Sequence, residues 1–300
     1  MRFASIDIGS NAVRLLLCNV FETGGEPIFK KAELVRMPLR LGEDAFRFKK
    51  ITERKYEQLL KVMKAYRLLI DAFEVIDYKA CATSAMREAE NSQEIIEKIK
   101  KNSGIEIELI DGKTEAQIIY SNHIAEHLEH DQSYLYIDVG GGSTELTLFS
   151  DNHVVHSQSF NIGTIRLLQE QVNKETWQYF KDWIKTKTDG FSPITAIGSG
   201  GNINKIIKMI GRKEGKPVSF EMLKVMHEHL QSFTYEERIT HLGLNPDRAD
   251  VIIPAAKIFI TILKTAGIEE MLVPQVGLSD GMIHLLYEKH RKMPQIFPGS

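Results

Sequence analysis

Two copies of one short pattern constrain this chain more than anything else in it. Ile6-Asp7-Ile8-Gly9-Ser10-Asn11 and Ile137-Asp138-Val139-Gly140-Gly141-Gly142-Ser143-Thr144-Glu145 each carry a short apolar strand through an aspartate into a glycine turn. Each turn leaves through a second strand-like run, Ala12 to Val20 and Leu146 to Phe149. Asp7 and Asp138 are 131 residues apart. That recurrence predicts a duplicated domain with two phosphate-gripping loops facing one cleft.

A chain of 300 residues suits two domains of roughly 150 each. The formal charge of -2 gives no global basic field of the kind that wraps nucleic acid. Two cysteines, Cys18 and Cys81, make no disulfide framework and fit a reducing compartment. The amino terminus runs straight into the first strand without the features of a secretory leader. Val251 to Leu263, the longest apolar stretch, contains Pro254 and Lys257 and is too short to span a bilayer. The expectation is a cytoplasmic protein with no membrane or nucleic-acid partner, and a homodimer as the default oligomer.

Along the chain, residues 2–20 read as a hairpin, followed by a strand at 28–37. Thr52 caps a helix whose apolar face includes Tyr56, Leu59, Met63 and Ile70. Strands are predicted at 73–82 and 105–110, with helices at 84–90 and 91–101 between them. Thr114 is the expected cap of a helix running to about residue 130. The order then repeats: a hairpin at 133–149, a further arm at 153–160, helices at 164–172 and 174–187, a strand at 194–197 and a helix at 203–210. The tail reads as helices at 219–232, 234–240, 247–266 and 278–289, with a short strand at 270–274. The domain boundary is placed at 125/126, and the last helix is expected to pack back toward the first domain.

Glycine turns let a backbone approach an oxyanion and aim successive N–H groups at it. Gly141 and Gly142 supply such groups, and Ser10, Asn11, Ser143 and Thr144 add side-chain donors. Asp7 and Asp138 end their strands at the mouth of the cleft. With Glu145 across the second turn, they suit magnesium, which takes few carboxylates plus phosphate oxygens; manganese is the substitute. Alternatively, these acids cap their loops through backbone hydrogen bonds. Gly198-Ser199-Gly200-Gly201-Asn202 precedes a helix and is a third anion site, with Gly200 and Gly201 as its donors. Neither a Walker loop nor a dinucleotide fingerprint is present, because residues 12–20 read as strand where the latter needs helix.

With these motifs the chain resembles the exopolyphosphatase and guanosine pentaphosphate phosphatase family, within the actin, Hsp70 and sugar-kinase superfamily. The resemblance spans nearly the whole chain. It is carried by Ile6 to Asn11, Arg40 to Glu43, Ala82 to Arg87, Asp111 to Ala116, Asp138 to Glu145, Gly163 to Leu167 and Gly277 to Gly281. It implies an α/β fold of two ribonuclease-H-like, actin-like domains, each a mixed five-stranded sheet flanked by helices, with the active site in the cleft between them. It also implies magnesium-dependent release of terminal phosphate from inorganic polyphosphate or from pppGpp. Glu115 matches the family's water-activating glutamate and Arg87 its phosphate-clamping arginine. The sequence departs from its relatives at Thr114, where many carry another acid, and at Ser279-Asp280, where many carry Arg-Glu. The chain also lacks the large carboxy-terminal extension of longer relatives, which suggests short polyphosphate chains.

Lys205, Lys208, Arg212 and Lys213 form either a track for a long polyanion or a solvated helix face. Arg14 either faces the cleft or snorkels from a sheet edge. Three rival functions use other features. His123-Ile124-Ala125-Glu126-His127 fits an inverted zinc-protease pattern, with no third ligand legible. A small-molecule kinase would share the fold and loops. A non-catalytic polyphosphate or alarmone sensor would keep the loops and fail at water activation.

Overall fold

The computed structural model describes residues 1–22, 24–120, 132–151, 153–191, 193–212, 215–274 and 276–292. The first lobe is built from β1 (Arg2–Ile8), β2 (Val13–Phe21), β3 (Ile28–Met37), α1 (Leu41–Phe48), α2 (Glu53–Ala72), β4 (Asp77–Ala82), α3 (Ser84–Glu88), α4 (Ser92–Ser103), β5 (Glu108–Leu109) and α5 (Gly112–Tyr120). The second contains β6 (Ser133–Val139), β7 (Thr144–Ser150), β8 (His153–Phe160), α6 (Thr164–Leu168), α7 (Lys174–Thr188), β9 (Ile194–Ser199) and α8 (Gly201–Ile210). It continues through β10 (Val218–Ser219), α9 (Phe220–Gln231), α10 (Tyr235–Thr240), α11 (Pro246–Ala249), α12 (Ile252–Ala266) and β11 (Glu270–Leu272) to α13 (Leu278–Arg291).

The sheets repeat one topology. In the first, the strand order is β3-β2-β1-β4-β5, with an antiparallel meander on one side of β1 and parallel strands on the other. In the second, β8-β7-β6-β9-β11 has the same arrangement, and antiparallel β10 adds a sixth strand at the edge. This is the duplicated actin-like architecture; the second sheet has six strands where five were expected.

Alternation along β1 sorts its side chains onto two faces. Ala4, Ile6 and Ile8 face a core that includes Leu59, Met63 and Tyr66 of α2. Thr52 caps that helix by accepting from the Lys55 amide. The Tyr66 hydroxyl satisfies the Val13 and Val35 carbonyls at 3.1 Å each. The opposite face presents Phe3, Leu16, Cys18 and Val20, and α13 covers it with Ile283, Leu286 and Tyr287. Each such apolar side chain contributes roughly 1.5–3 kcal/mol when fully buried. The corresponding face of β6, Tyr134 and Tyr136, packs with Ile118 and Ile119 of α5 and Leu278 and Met282 of α13. The two helices therefore fill the seam between the sheets. They touch backbone to backbone, since a Cβ on Gly281 would fall 2.0 Å from the Ile118 carbonyl oxygen.

Several elements differ from the sequence expectation. The strand read at 105–110 is only Glu108–Leu109, because those two residues alone pair with β4. The strand expected from residue 73 begins at Asp77; Phe73 instead closes α2 with its amide on Leu69. The helix read as 247–266 breaks at Asp250 and Val251 into α11 and α12. Asp111, not Thr114, caps α5: its carboxylate accepts the Thr114 amide at 2.7 Å. The boundary at 125/126 lies outside the described residues. No helix among the described residues is long and apolar enough to cross a membrane.

Candidate active site

The duplication is exact in register at the two loops. Asp7 pairs with Arg14 across β1 and β2, and Asp138 pairs with Glu145 across β6 and β7. Each loop is closed by the same bond, Gly9 N–H to the Ala12 carbonyl at 3.1 Å and Gly140 N–H to the Ser143 carbonyl at 2.9 Å.

What each loop does with its remaining carbonyls decides which way its amides face. In the first lobe, the Asn11 and Ser10 carbonyls accept from the Arg40 and Gly42 amides at 2.9 and 2.8 Å. In the second, the Gly140 and Gly141 carbonyls accept from the Thr164 and Ile165 amides at 3.1 and 2.8 Å. The Gly142 carbonyl accepts from Arg166 Nε at 2.6 Å. A planar trans peptide points its C=O and N–H in opposite directions. Anchoring the carbonyls into the protein therefore turns the next amides outward, which makes each loop an anion-binding nest. The segments Arg40–Glu43 and Gly163–Leu167 thus supply the anchors, α1 and α6, that hold the loops open.

Both loops open onto one cleft of about 570 Å³ between the lobes. Its wall includes Asp7, Ser10, Asn11, Arg14, Glu115, Asp138, Gly141, Ser143, Glu145, Gly200 and Gly201. Lys205 and Lys208 lie at the same cleft; Arg212 is exposed and is not part of its wall, and Lys213 lies outside the described residues. Thr144 is fully buried with its hydroxyl on the Ile162 carbonyl at 2.6 Å, so that side chain braces the loop instead of facing the cleft. Gly142 lies behind the wall, against Phe46 and Ser84. Ser10 shares a hydrogen bond with Ser84 at 2.8 Å, and Asn11 Nδ2 reaches across the lobes to the Asp247 carbonyl at 3.2 Å. The zinc-protease pattern at 123–127, with His123, Glu126 and His127, lies outside the described residues.

The cleft carries both signs of charge. Asp7, Glu115, Asp138 and Glu145 are all buried or nearly so. Asp7 is ion-paired with Arg14. Burial pushes the Asp138 carboxyl up to about 7, with Glu145 and Asp7 adding to the effect and Arg14 opposing it. Burial, then Glu145, Asp138 and Asp7, hold Glu115 well above the usual carboxylate range, against Arg87. Glu145 is also raised by burial, although the Ser143 and Ser159 hydroxyls stabilise its charged form; the Ser159 contact is 2.8 Å. Glu115 Oε2 is buried without a hydrogen-bond partner. A set of acids this crowded, with an orphaned oxygen, needs either protons or a cation. Among the described residues, no group of three or more His, Cys, Asp or Glu side chains is arranged to hold a metal ion by itself. A cation here would need ligands beyond these carboxylates, as magnesium with its water and phosphate oxygens commonly does.

Arg14 links these acids to a cationic stretch of the wall that includes Arg36, Arg248, Lys205 and Lys208. Burial and the nearby Arg36 and Arg14 charges bring Arg248 down to about 10. Arg36 is ion-paired with Asp247, and Arg248 donates to the Gly201 carbonyl. Sequence reading missed Arg36 and Arg248, whose only signal was an arginine in an otherwise ordinary strand and short helix. Arg14 lines the cleft and does not snorkel away from it. Arg87 differs from its expected place: it stands behind the acids with Nη1 on the Ile110 carbonyl at 2.8 Å, and the cleft wall does not include it.

A family model described as the Ppx/GppA phosphatase family matches residues 25–290. The chain belongs to that family. Among its relatives, a bifunctional 3-dehydroquinate synthase/phosphatase of Fusobacterium nucleatum is 30% identical over 91% of this chain and 44% of its own length. Exopolyphosphatase 1 of Mycobacterium tuberculosis is 23% identical over 94% of this chain and 87% of its own. The crystal structure of the Aquifex aeolicus Ppx/GppA family member covers 98% of this chain and 99% of that one, at 26% identity and a TM-score of 0.76. Ppx/GppA membership places the chain among hydrolases, and the two loops described above are the parts of it that face the cleft in both lobes.

Proposed function

We propose that the chain releases the terminal phosphate of inorganic polyphosphate, with pppGpp as the alternative substrate. One observation carries the reading: a buried glutamate with a free oxygen faces a cleft walled by two outward-turned amide loops. In this scheme the loop amides bind the terminal phosphoryl oxygens, and Arg14, Arg36 and Arg248 take the charge of the phosphates behind it. Asp138 and Glu145, with Asp7, are the residues that would hold magnesium, or manganese in its place. Such an ion would supply charge neutralisation at the phosphate oxygens and would lower the proton affinity of the acids around it.

Glu115 orients the attacking water and takes its proton as the oxygen–phosphorus bond forms and the anhydride bond breaks. Arg87 works from behind, favouring the ionised forms of Glu115 and Glu145. Rate enhancement comes from positioning and preorganised charge rather than a covalent intermediate. Polyphosphate is preferred over pppGpp because the cleft wall, among the described residues, gathers Arg14, Arg36, Arg248, Lys205 and Lys208 and has no aromatic platform for guanine. We place the protein in the cytoplasm, acting on small polyanions rather than nucleic acid or membrane, with a homodimer as the default oligomer.

Magnesium-dependent phosphate release from tripolyphosphate, long polyphosphate, pppGpp and ATP tests the reading, with Glu115→Gln as the control. Turnover unaffected by that change would remove Glu115 as the base. Tight binding without turnover would instead favour a sensor, a reading supported by the strong tendency of Glu115 to hold its proton. ATP-dependent phosphorylation of a small metabolite would point to a kinase.

A further inference from the structure

We propose that Arg166 is a positioning residue that couples closure of the cleft to the aim of the triglycine-loop amides, through an ion pair with Glu88 of the opposite lobe. The proposal takes from the preceding section only what the loop binds; the contacts themselves are independent of it.

Three contacts define Arg166. Its Nε donates to the Gly142 carbonyl at 2.6 Å, its terminal nitrogen pairs with Glu88, and its guanidinium lies 4.0 Å from the Phe46 ring centre. Phe46 and Glu88 belong to the first lobe; Gly142 and Arg166 belong to the second. Lys49 is also near Glu88, at 3.7 Å. Arg166 is only 6% exposed and Glu88 is half-buried, so the pair is screened less than a surface ion pair.

The Gly142 carbonyl is unlike its neighbours in the loop. The Gly140 and Gly141 carbonyls are held by backbone amides of α6 and its approach, which move with the second lobe. The Gly142 carbonyl is held by a side chain whose other end is fixed in the first lobe. Peptide planarity makes that carbonyl the handle for the Ser143 N–H, which points the opposite way, and Ser143 lines the cleft. The backbone at this point is pressed against the first lobe: a Cβ on Gly142 would lie 2.2 Å from Phe46 and 2.6 Å from Ser84. Glu88 directly follows Arg87, so the same contact sets the loop against the helix that carries Arg87.

The first lobe has a partial counterpart. The Arg40 amide holds the Asn11 carbonyl, and its side chain reaches Asp250 of the second lobe at 2.7 Å. There the loop is held by backbone and the side chain only joins the lobes. Of the two, Arg166 performs both tasks with one planar fork. Lysine cannot reproduce this, since an ammonium lacks the guanidinium's fixed divergent donors and its flat face.

The test compares wild type with Arg166→Met, Arg166→Ala, Arg166→Lys and Glu88→Gln by phosphate release from tripolyphosphate, thermal midpoint and small-angle X-ray scattering with and without tripolyphosphate. For Arg166→Met, kcat is expected to fall about 10- to 100-fold with KM within about threefold, as displaced donors produce. Arg166→Lys should recover little of the loss. Added methylguanidinium should partly restore Arg166→Ala. Glu88→Gln, which leaves the Gly142 bond in place, should fall between wild type and Arg166→Met. Unchanged kcat in Arg166→Met would overturn the proposal, as would a loss matched by unfolding and not rescued by guanidinium. If wild type itself releases no phosphate, the phosphatase reading fails, and the scattering arm decides alone. The proposal then requires tripolyphosphate to compact wild type but not Arg166→Met; equal compaction overturns it.

Discussion

Arg14 and Glu145 occupy the same position in the two lobes, each directly across from the aspartate that ends the preceding strand. In the first lobe this makes an ion pair, and in the second it sets two acids side by side. A duplicated scaffold thus carries one self-neutralised half and one half that needs a cation. On the proposed reading, the asymmetry would favour Asp138 and Glu145 over Asp7 as the acids that hold the ion.

Replacing Arg14 with Met should move the acid limb of the phosphate-release profile to higher pH. Arg14 favours the ionised form of Asp138, so its loss raises the affinity of Asp138 for its proton. kcat/KM between pH 5 and 9 reads the shift; a limb that stays put would separate Asp138 from the rate-controlling ionisation.

Without metal, the protein should lose stability as pH rises from about 4 to 7. The Asp138 carboxyl lies near 7 in the folded chain, against 3.8 ordinarily, so the native state binds the additional proton throughout that window. The linked free energy is at most about 4 kcal/mol. Thermal midpoints in chelator across this range should fall, Asp138→Asn should flatten the dependence, and magnesium should offset it.

Glu115→Gln is expected to reduce kcat by about 10²–10⁴-fold, the usual contribution of a positioned base. The same variant should be at least as heat-stable as wild type above pH 7, because it removes a buried acid crowded by three others. Rate loss with unchanged or higher thermal midpoint is the signature sought; loss of both would assign Glu115 to structure.

Gly281→Ala should destabilise the fold by about 1–3 kcal/mol. The added methyl has no flexible neighbour to displace, since its obstacle at 2.0 Å is the Ile118 backbone oxygen. Denaturant titration measures the cost, and a variant as stable as wild type would contradict the close crossing of α5 and α13.

The duplicated hairpins were legible because their signals are local: apolar alternation, an aspartate and a glycine turn within about ten residues. The loops were legible from their glycine turns, and Glu115, which lines the cleft, was singled out through family resemblance. The arginines were not. Arg36 finds Asp247 211 residues away, and Arg166 finds Glu88 78 residues away, so their surroundings exist only after the lobes meet. Residues 105–110 misled for the reverse reason. Their alternation is real, but only Glu108 and Leu109 have a strand beside them, and a strand needs a neighbour to be one.

The placement of α13 has a consequence for biogenesis. The outer surface of the first-lobe sheet, Phe3, Leu16, Cys18 and Val20, waits for a segment made only after the other elements of the second lobe. The half that leaves the ribosome first is therefore the last to be completed. A nascent chain stalled before Leu278 would present that oily surface to chaperones, and early termination would condemn both halves together.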